Sequence, residues 1–348
     1  MMNQNPFTLS FGKEPLSFIA RDSQNQEIFD SFTSDNPGFQ ACIITGVRGS
    51  GKTVAMTSIA NELASDKRWI VVNLNPELNL LNQLAAELSN RKGLIELFKD
   101  AKINLSVLGF GLEIDGEPPV TDIVVALRRM LAKITKEGKR VLVTVDEASS
   151  TPQFREFASQ FQIFMREGLS VFLLMTGLYE NISALQDSKN LTFLYRAPKL
   201  ELKPLSIVLI ARKYKNIFNL SEEEALAMAN ATKGYSFAFQ ALGYICWQSK
   251  KPWKEVLTEY DAKLEDFVYE KIWSELSLKD RIIIHAVCSS EDSSVEAIRN
   301  QAGIESNFFA VYRNRLLKRG IITSPTYGHI ELALPRFAEF AKRQIALE

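Results

Sequence analysis

Mostly apolar short runs alternate with longer amphipathic stretches through the first two thirds of the chain. The runs at 41–45 (ACIIT), 68–74 (RWIVVNL), 140–147 (RVLVTVDE), 170–177 (SVFLLMTG) and 197–202 (APKLEL) have the length and near-continuous hydrophobicity of strands buried on both faces. Between them the apolar positions fall at helical spacing. Residues 22–33, about 52–65, 77–100, 120–136 and 152–167 read as helices. Leu78, Leu81, Leu84, Ala85 and Leu88 share one inner face, and Ile123, Leu127, Met130, Leu131 and Ile134 another. Strand–helix alternation of this kind predicts a parallel sheet with helices on both faces. One segment breaks it. Residues 102–116 (KINLSVLGFGLEIDG) carry paired glycines among apolar residues and predict an inserted hairpin, either folded back on the sheet or offered to a partner.

The pattern changes after Pro204. Residues 205–272 read as wholly helical, with Gly234 and Pro252 as breaks. Residues 278–288, 293–302 and 306–319 then have three-helix spacing, and 321–335 reads as two short strands turning at 326–328. The expected organisation is an α/β domain over 1–203, a helical lid over 204–272 and a winged helix-turn-helix over 273–348.

Composition narrows the function classes. The chain has 348 residues, 41 Lys+Arg against 41 Asp+Glu, and 46% hydrophobic residues, so a polyanion-binding surface must be local. Cys42, Cys246 and Cys288 show no metal spacing and sit among apolar neighbours, as reduced buried thiols do. His285, on an apolar helix face, reads as core, and His329 stands alone; neither suggests a metal site. The N-terminal stretch lacks the apolar segment of a signal peptide and no apolar run reaches membrane-spanning length, so the expectation is a cytoplasmic protein with no membrane partner.

The chemistry is carried by two strand ends. Gly46-Val47-Arg48-Gly49-Ser50-Gly51-Lys52-Thr53 fits G-x-x-x-x-G-K-[ST], directly after one predicted strand and opening a helix. Glycines there let backbone N–H groups turn inward around phosphates, and the helix N-terminus favours negative charge. Lys52 is expected on the β- and γ-phosphates of ATP and Thr53 on Mg²⁺. The strand at 141–145 ends in Asp146 and Glu147. Asp146 is expected in the magnesium shell. Glu147 is expected to polarise the water that attacks the γ-phosphate.

A phosphate loop, an inserted central strand and a strand-terminal Asp-Glu resemble the AAA+ ATPases, and within them the origin-recognition and helicase-loader clade with the related archaeal-type ATPases. The resemblance implies further roles. The segment 15–21 (PLSFIAR) resembles the piece that closes over adenine, with Phe18 and Ile19 on the base; an apolar strap anchoring the N-terminus is the other reading. Ala20 stands where the family usually has Gly. Thr176 resembles the polar residue that orients water or the γ-phosphate. Arg196, eight residues before Pro204, resembles the arginine finger that reaches a neighbouring subunit's ATP, which implies a homo-oligomer. Gly234-Tyr235-Ser236-Phe237-Ala238 resembles the lid motif that senses the γ-phosphate, but Phe237 replaces its usual Arg.

The last predicted helix of the C-terminal trio carries Arg313, Arg315, Lys318 and Arg319, with no acidic residue between Glu305 and Glu331. This is the sequence's one local basic stretch and the candidate DNA contact. A protein contact or a solvated face stays open beside it. The readings that follow are an Mg-dependent ATPase acting on DNA or nucleoprotein, or a slow ATP-driven assembly switch of the signalling (STAND) kind whose winged helix contacts protein.

Overall fold

The structure, a computed structural model, describes residues 4–10, 12, 14–109, 117–188 and 191–346. The chain divides into two compact units, each discontinuous in sequence. One comprises 21–45 and 52–201, the other 1–20, 46–51 and 202–348.

The first unit is the predicted α/β layer. Strands β1 (Ala41–Thr45), β2 (Trp69–Leu74), β3 (Arg140–Val145), β4 (Val171–Gly177) and β5 (Lys199–Glu201) form one parallel sheet in the order β2-β3-β4-β1-β5. β1 and β4 are buried along their whole length, which explains their unbroken apolar sequences. The carboxyl ends of β1 and β4 finish level, Thr45 lying opposite Gly177, and β3 ends two residues earlier, with Val145 opposite Met175. Loops leaving those ends are where this kind of sheet places ligands.

Around the sheet run α1 (Asp22–Thr33), α2 (Lys52–Ala64), α3 (Leu80–Ser89), α4 (Lys92–Asp100), α5 (Ile123–Lys136), α6 (Pro152–Arg166), α7 (Tyr179–Gln186) and α8 (Thr192–Arg196). Helix α6 shows how local sequence sets an element. Thr151 caps it by accepting from the Phe154 N–H, Pro152 occupies the first turn, and Phe154, Phe157, Phe161 and Phe164 follow at i, i+3, i+7 and i+10, all fully buried. Each such ring contributes about 1.5–3 kcal/mol on leaving water. On the other sheet face, the Arg140 guanidinium stacks near Trp69 and Phe172 and donates to the Phe32 and Ser34 carbonyls at 2.6 and 2.7 Å.

Two expectations are corrected here. The single helix over 77–100 is two, separated at Asn90–Arg91, and Leu78 precedes the Asn79 cap and is 56% exposed. The helix begins where the Asn79 side chain can accept from Asn82 N, so Leu78 is on no helical face. Of the predicted hairpin, 110–116 lie outside the described residues, and 102–109 hold a 3₁₀ turn (Ser106–Leu108) and no strand. Ile103 and Leu105 are buried in the core, and Asn104 ties the segment's two ends together, its Nδ2 donating to the Glu117 carbonyl at 2.9 Å.

The second unit is helical apart from two short strands, β6 (Ile322–Thr323) and β7 (Glu331–Leu332). Its helices are α9 (Ile207–Phe218), α10 (Glu222–Asn230), α11 (Ser236–Ser249), α12 (Leu257–Leu264), α13 (Glu270–Ser274), α14 (Leu278–Ser289), α15 (Val295–Ala302), α16 (Ser306–Lys318) and α17 (Phe337–Ile345). A π-helical turn, Glu265–Tyr269, joins α12 to α13. One apolar core runs through these helices from Ile210 to Ala341. The N-terminal strap belongs to it. The Phe7 ring stacks on Phe218 at 5.7 Å and meets Phe239 edge-on at 5.6 Å. Gly243 on α11 makes room for Phe7, since a Cβ there would lie 2.4 Å from the ring. The Thr8 N–H is held by Gln240 Oε1 at 3.1 Å.

The predicted trio α14–α16 and the strand pair are present, and Ser294 bridges to His329 beside them. Helix α17 was not foreseen. His285 is exposed rather than core: the buried positions of α14 are Ile283, Ile284 and Ala286, which places His285 on the outer side.

Candidate nucleotide site

The phosphate-loop sequence is split between the two units. Gly46–Gly51 belongs to the helical one. There Gly49 (φ 76°) and Gly51 (φ 91°) take left-handed conformations that side chains resist, and the Ser50 N–H closes a turn on the Val47 carbonyl at 3.1 Å. Three successive loop carbonyls are engaged by three successive residues at the start of α11. The Tyr235 hydroxyl donates to the Arg48 carbonyl, the Phe237 N–H to that of Gly49 at 3.1 Å, and the Ser236 hydroxyl to that of Ser50 at 2.8 Å. Gly49 is required twice over, because a Cβ on it would fall 2.1 Å from the Tyr235 hydroxyl oxygen. Burial pushes the Tyr235 phenol well above its usual pKa, so it stays a neutral donor. The Arg48 side chain pairs with Glu275 at 3.0 Å, and Val47 packs against Gly320.

In the α/β unit the chain continues with Lys52 and Thr53, the first residues of α2. The Thr53 hydroxyl donates to Asp146 Oδ2 at 2.8 Å. Asp146 Oδ1 accepts from the Thr176 hydroxyl and, at 3.1 Å, from the Glu147 N–H. That same N–H also reaches Thr176 Oγ1 at 3.1 Å, and the Thr176 carbonyl accepts from Ala148 N at 2.8 Å. These bonds hold Glu147 in the left-handed region (φ 52°), uncommon for a residue with a side chain, and leave it exposed. Such strain at a strand end is what functional positions store.

The structure thus joins Thr53, Asp146, Glu147 and Thr176, as the motifs imply. The Thr176 side chain is fully buried and hydrogen-bonded to Asp146 and the Glu147 N–H. A hydroxyl and a carboxylate oxygen 2.8 Å apart form a hard-oxygen donor pair that suits Mg²⁺, an ion that takes few protein ligands and fills its shell with water and phosphate.

The remaining candidates disperse. Ile19 is buried in the helical unit's core and Phe18 is half-buried, so the strap reading accounts for Ile19. Arg196 is exposed at the end of α8. Phe237 stacks on Phe267 at 5.7 Å. On α16 the basic residues are largely committed within the chain. Arg315 pairs with buried Asp280, and Arg319, with its side chain 10% exposed, approaches Glu275 at 3.8 Å. Arg313 is half-buried and only Lys318 of the four is exposed. The groups that Arg315 and Arg319 meet lie 35 and 44 residues earlier in the chain.

The chain has the α/β P-loop NTPase fold in the form found in archaeal origin-recognition and Walker-type ATPases. It is similar to the Walker-type ATPase PABY2304 of Pyrococcus abyssi, at 15% identity and a TM-score of 0.68 over 97% of this chain and 99% of that one. It is also similar to the Aeropyrum pernix ORC2 protein, solved as ADPNP–ADP complexes, at 14% identity and a TM-score of 0.53 over 93% and 91%. A family model described as a domain of unknown function (DUF8462) matches residues 266–341. Among curated proteins none matches.

Proposed function

We propose that the chain is an Mg-dependent ATPase. The observation that carries the reading is the Thr53–Asp146 hydrogen bond, which joins the last residue of the phosphate-loop motif to the first strand-end carboxylate. Magnesium bound beside them would neutralise charge on the β- and γ-phosphates. Lys52 and the loop amides bind the triphosphate, Asp146 and Thr53 supply oxygen donors, and Glu147 takes the proton of the attacking water. The likeness to a protein solved with ADPNP and ADP supports nucleotide binding at the level of the fold. On this reading 204–272 act as a lid and 273–348 as a winged helix, the protein works in the cytoplasm, and exposed Arg196 serves the ATP of a neighbouring copy.

The test is Glu147→Gln, which should retain ATP binding and lower hydrolysis by roughly 10²–10⁴-fold. Turnover near that of the unaltered chain would remove Glu147 from the reaction. For the trans arrangement, Arg196→Ala mixed with Lys52→Ala should recover activity, and a silent mixture counts against it. DNA stimulation of turnover would support Lys318 and Arg313 as part of a nucleic-acid contact. A slow assembly switch is the second reading. Phe237 favours it, since an aromatic pair in place of a guanidinium gives the lid no charge with which to sense a γ-phosphate.

A further inference from the structure

We infer that Tyr235 and Ser236 are positioning residues for phosphate binding, acting through the peptide groups of the phosphate loop. The inference rests on the nucleotide-binding reading above. A peptide unit is rigid and planar, and no cis bond occurs among the described residues, so each carbonyl points opposite to the N–H of the next residue. Fixing a carbonyl therefore fixes that N–H. The Tyr235 hydroxyl holds the Arg48 carbonyl and so aims the Gly49 N–H away from the lid residues. The Ser236 hydroxyl, at 2.8 Å from the Ser50 carbonyl, does the same for the Gly51 N–H. Outside the helices and strands neither glycine amide donates to a backbone carbonyl among the described residues, and on the nucleotide-binding reading both serve a phosphate. The Phe237 N–H on the Gly49 carbonyl completes the set, with the Ser50 N–H of that peptide turned to Val47.

Two further effects act in the same direction. A hydrogen bond accepted by a carbonyl polarises its peptide and strengthens the N–H on the other side. The arrangement also serves α11, whose N-cap residue Tyr235 makes no side-chain cap, because the Gly49 carbonyl accepts from Phe237 N in the first turn. A loop whose glycines are otherwise free in φ is thereby held ready before a phosphate arrives, which lowers the ordering cost of binding. The lid here organises the anion hole from behind rather than reaching the γ-phosphate with a charge.

The experiment measures binding of MgADP, MgATP and AMP to the full chain by calorimetry or competition, for the unaltered protein and for Tyr235→Phe, Ser236→Ala, Ser236→Thr and the double variant. Each lost hydroxyl should weaken MgADP and MgATP about fivefold, and the pair about 20-fold, while Ser236→Thr restores binding. AMP, with no β-phosphate for the loop to grip, should change by less than about twofold. Circular dichroism confirms the fold of each variant. MgADP affinity unchanged in the double variant overturns the inference, as does an equal loss for AMP and MgADP, which would mark a general disturbance. If the unaltered chain binds no nucleotide, the functional reading itself fails, an outcome distinct from both.

Discussion

Replacing Thr176 with valine removes one hydroxyl and keeps the volume, at a side chain with no exposure to solvent. Two bonds vanish: the donor to the Asp146 carboxylate and the acceptor for the Glu147 N–H. A hydrogen bond to a charged group is worth about 1.5–3 kcal/mol and a neutral one about 1 kcal/mol. Asp146 is half-buried and water can replace part of the loss, and the Glu147 N–H keeps its 3.1 Å bond to Asp146, so we expect about 2–3 kcal/mol of destabilisation. In a unit of this size that lowers the melting temperature by roughly 4–12 °C, at about 2–4 °C per kcal/mol. The left-handed backbone of Glu147 should relax as well, and turnover should fall more than nucleotide affinity. Thermal melts without nucleotide test the first part and a kcat-against-KM comparison the second, with Thr176→Ser as the control that retains both bonds. Were the valine variant to melt with the unaltered protein while the fold is intact, the buried hydroxyl would not be holding the acids.

Other outcomes follow from the same reasoning. Asp280 is fully buried, caps α14 through Ser277 and pairs with Arg315, so Asp280→Ala should cost about 3 kcal/mol in urea unfolding, at the low end for a broken buried pair because Arg315 keeps 36% exposure. Phe7→Ala should cost about 3–5 kcal/mol, the range for deleting a buried aromatic ring, and a loss below 1 kcal/mol would mean that the N-terminal strap is not docked. Burial pushes the Cys42 and Cys246 thiols up to about 12 and Cys288 to about 11. Raised folded values mean stability complete below the ordinary thiol range near 9.0 and lost as pH climbs towards 11–12, with Tyr214 and Tyr260 shifted the same way. The urea midpoint should therefore be lower at pH 10.5 than at pH 8. At pH 8 the native thiols should resist a disulfide reagent that labels all three after unfolding.

Periodicity made the α/β layer readable, since strands such as β1 and β4, buried on both faces, are apolar without interruption. The loop and the Asp146-Glu147 pair were readable as a candidate site because phosphate-binding chemistry calls for fixed residue types at fixed spacing. What stayed hidden depends on partners distant in sequence. Arg315 looks like a surface cation until Asp280, 35 residues earlier, is brought to it. The bonds of Thr176 to the Glu147 N–H and to Asp146 likewise join residues 29 and 30 apart in the chain. The bonds from Tyr235 and Ser236 end on backbone carbonyls, which every residue has and no motif marks. Helix α17 is marked in the sequence by Phe337, Phe340 and Ala341 at i, i+3 and i+4 after Pro335.

The docking of Phe7 also sets an order of events during synthesis. The ring's neighbour Phe239 and the Gln240 side chain that holds Thr8 are separated from the N-terminal strap by 232 residues of chain. At ribosomal speeds of about 5–20 residues per second, the strap must wait roughly 10–50 s for its pocket to exist. Meanwhile its aromatic side chain is exposed, and the α/β layer between can collapse first. A nascent chain halted before residue 239 should hold a finished parallel sheet trailing a sticky, unplaced end, which is the species a ribosome-bound chaperone would meet.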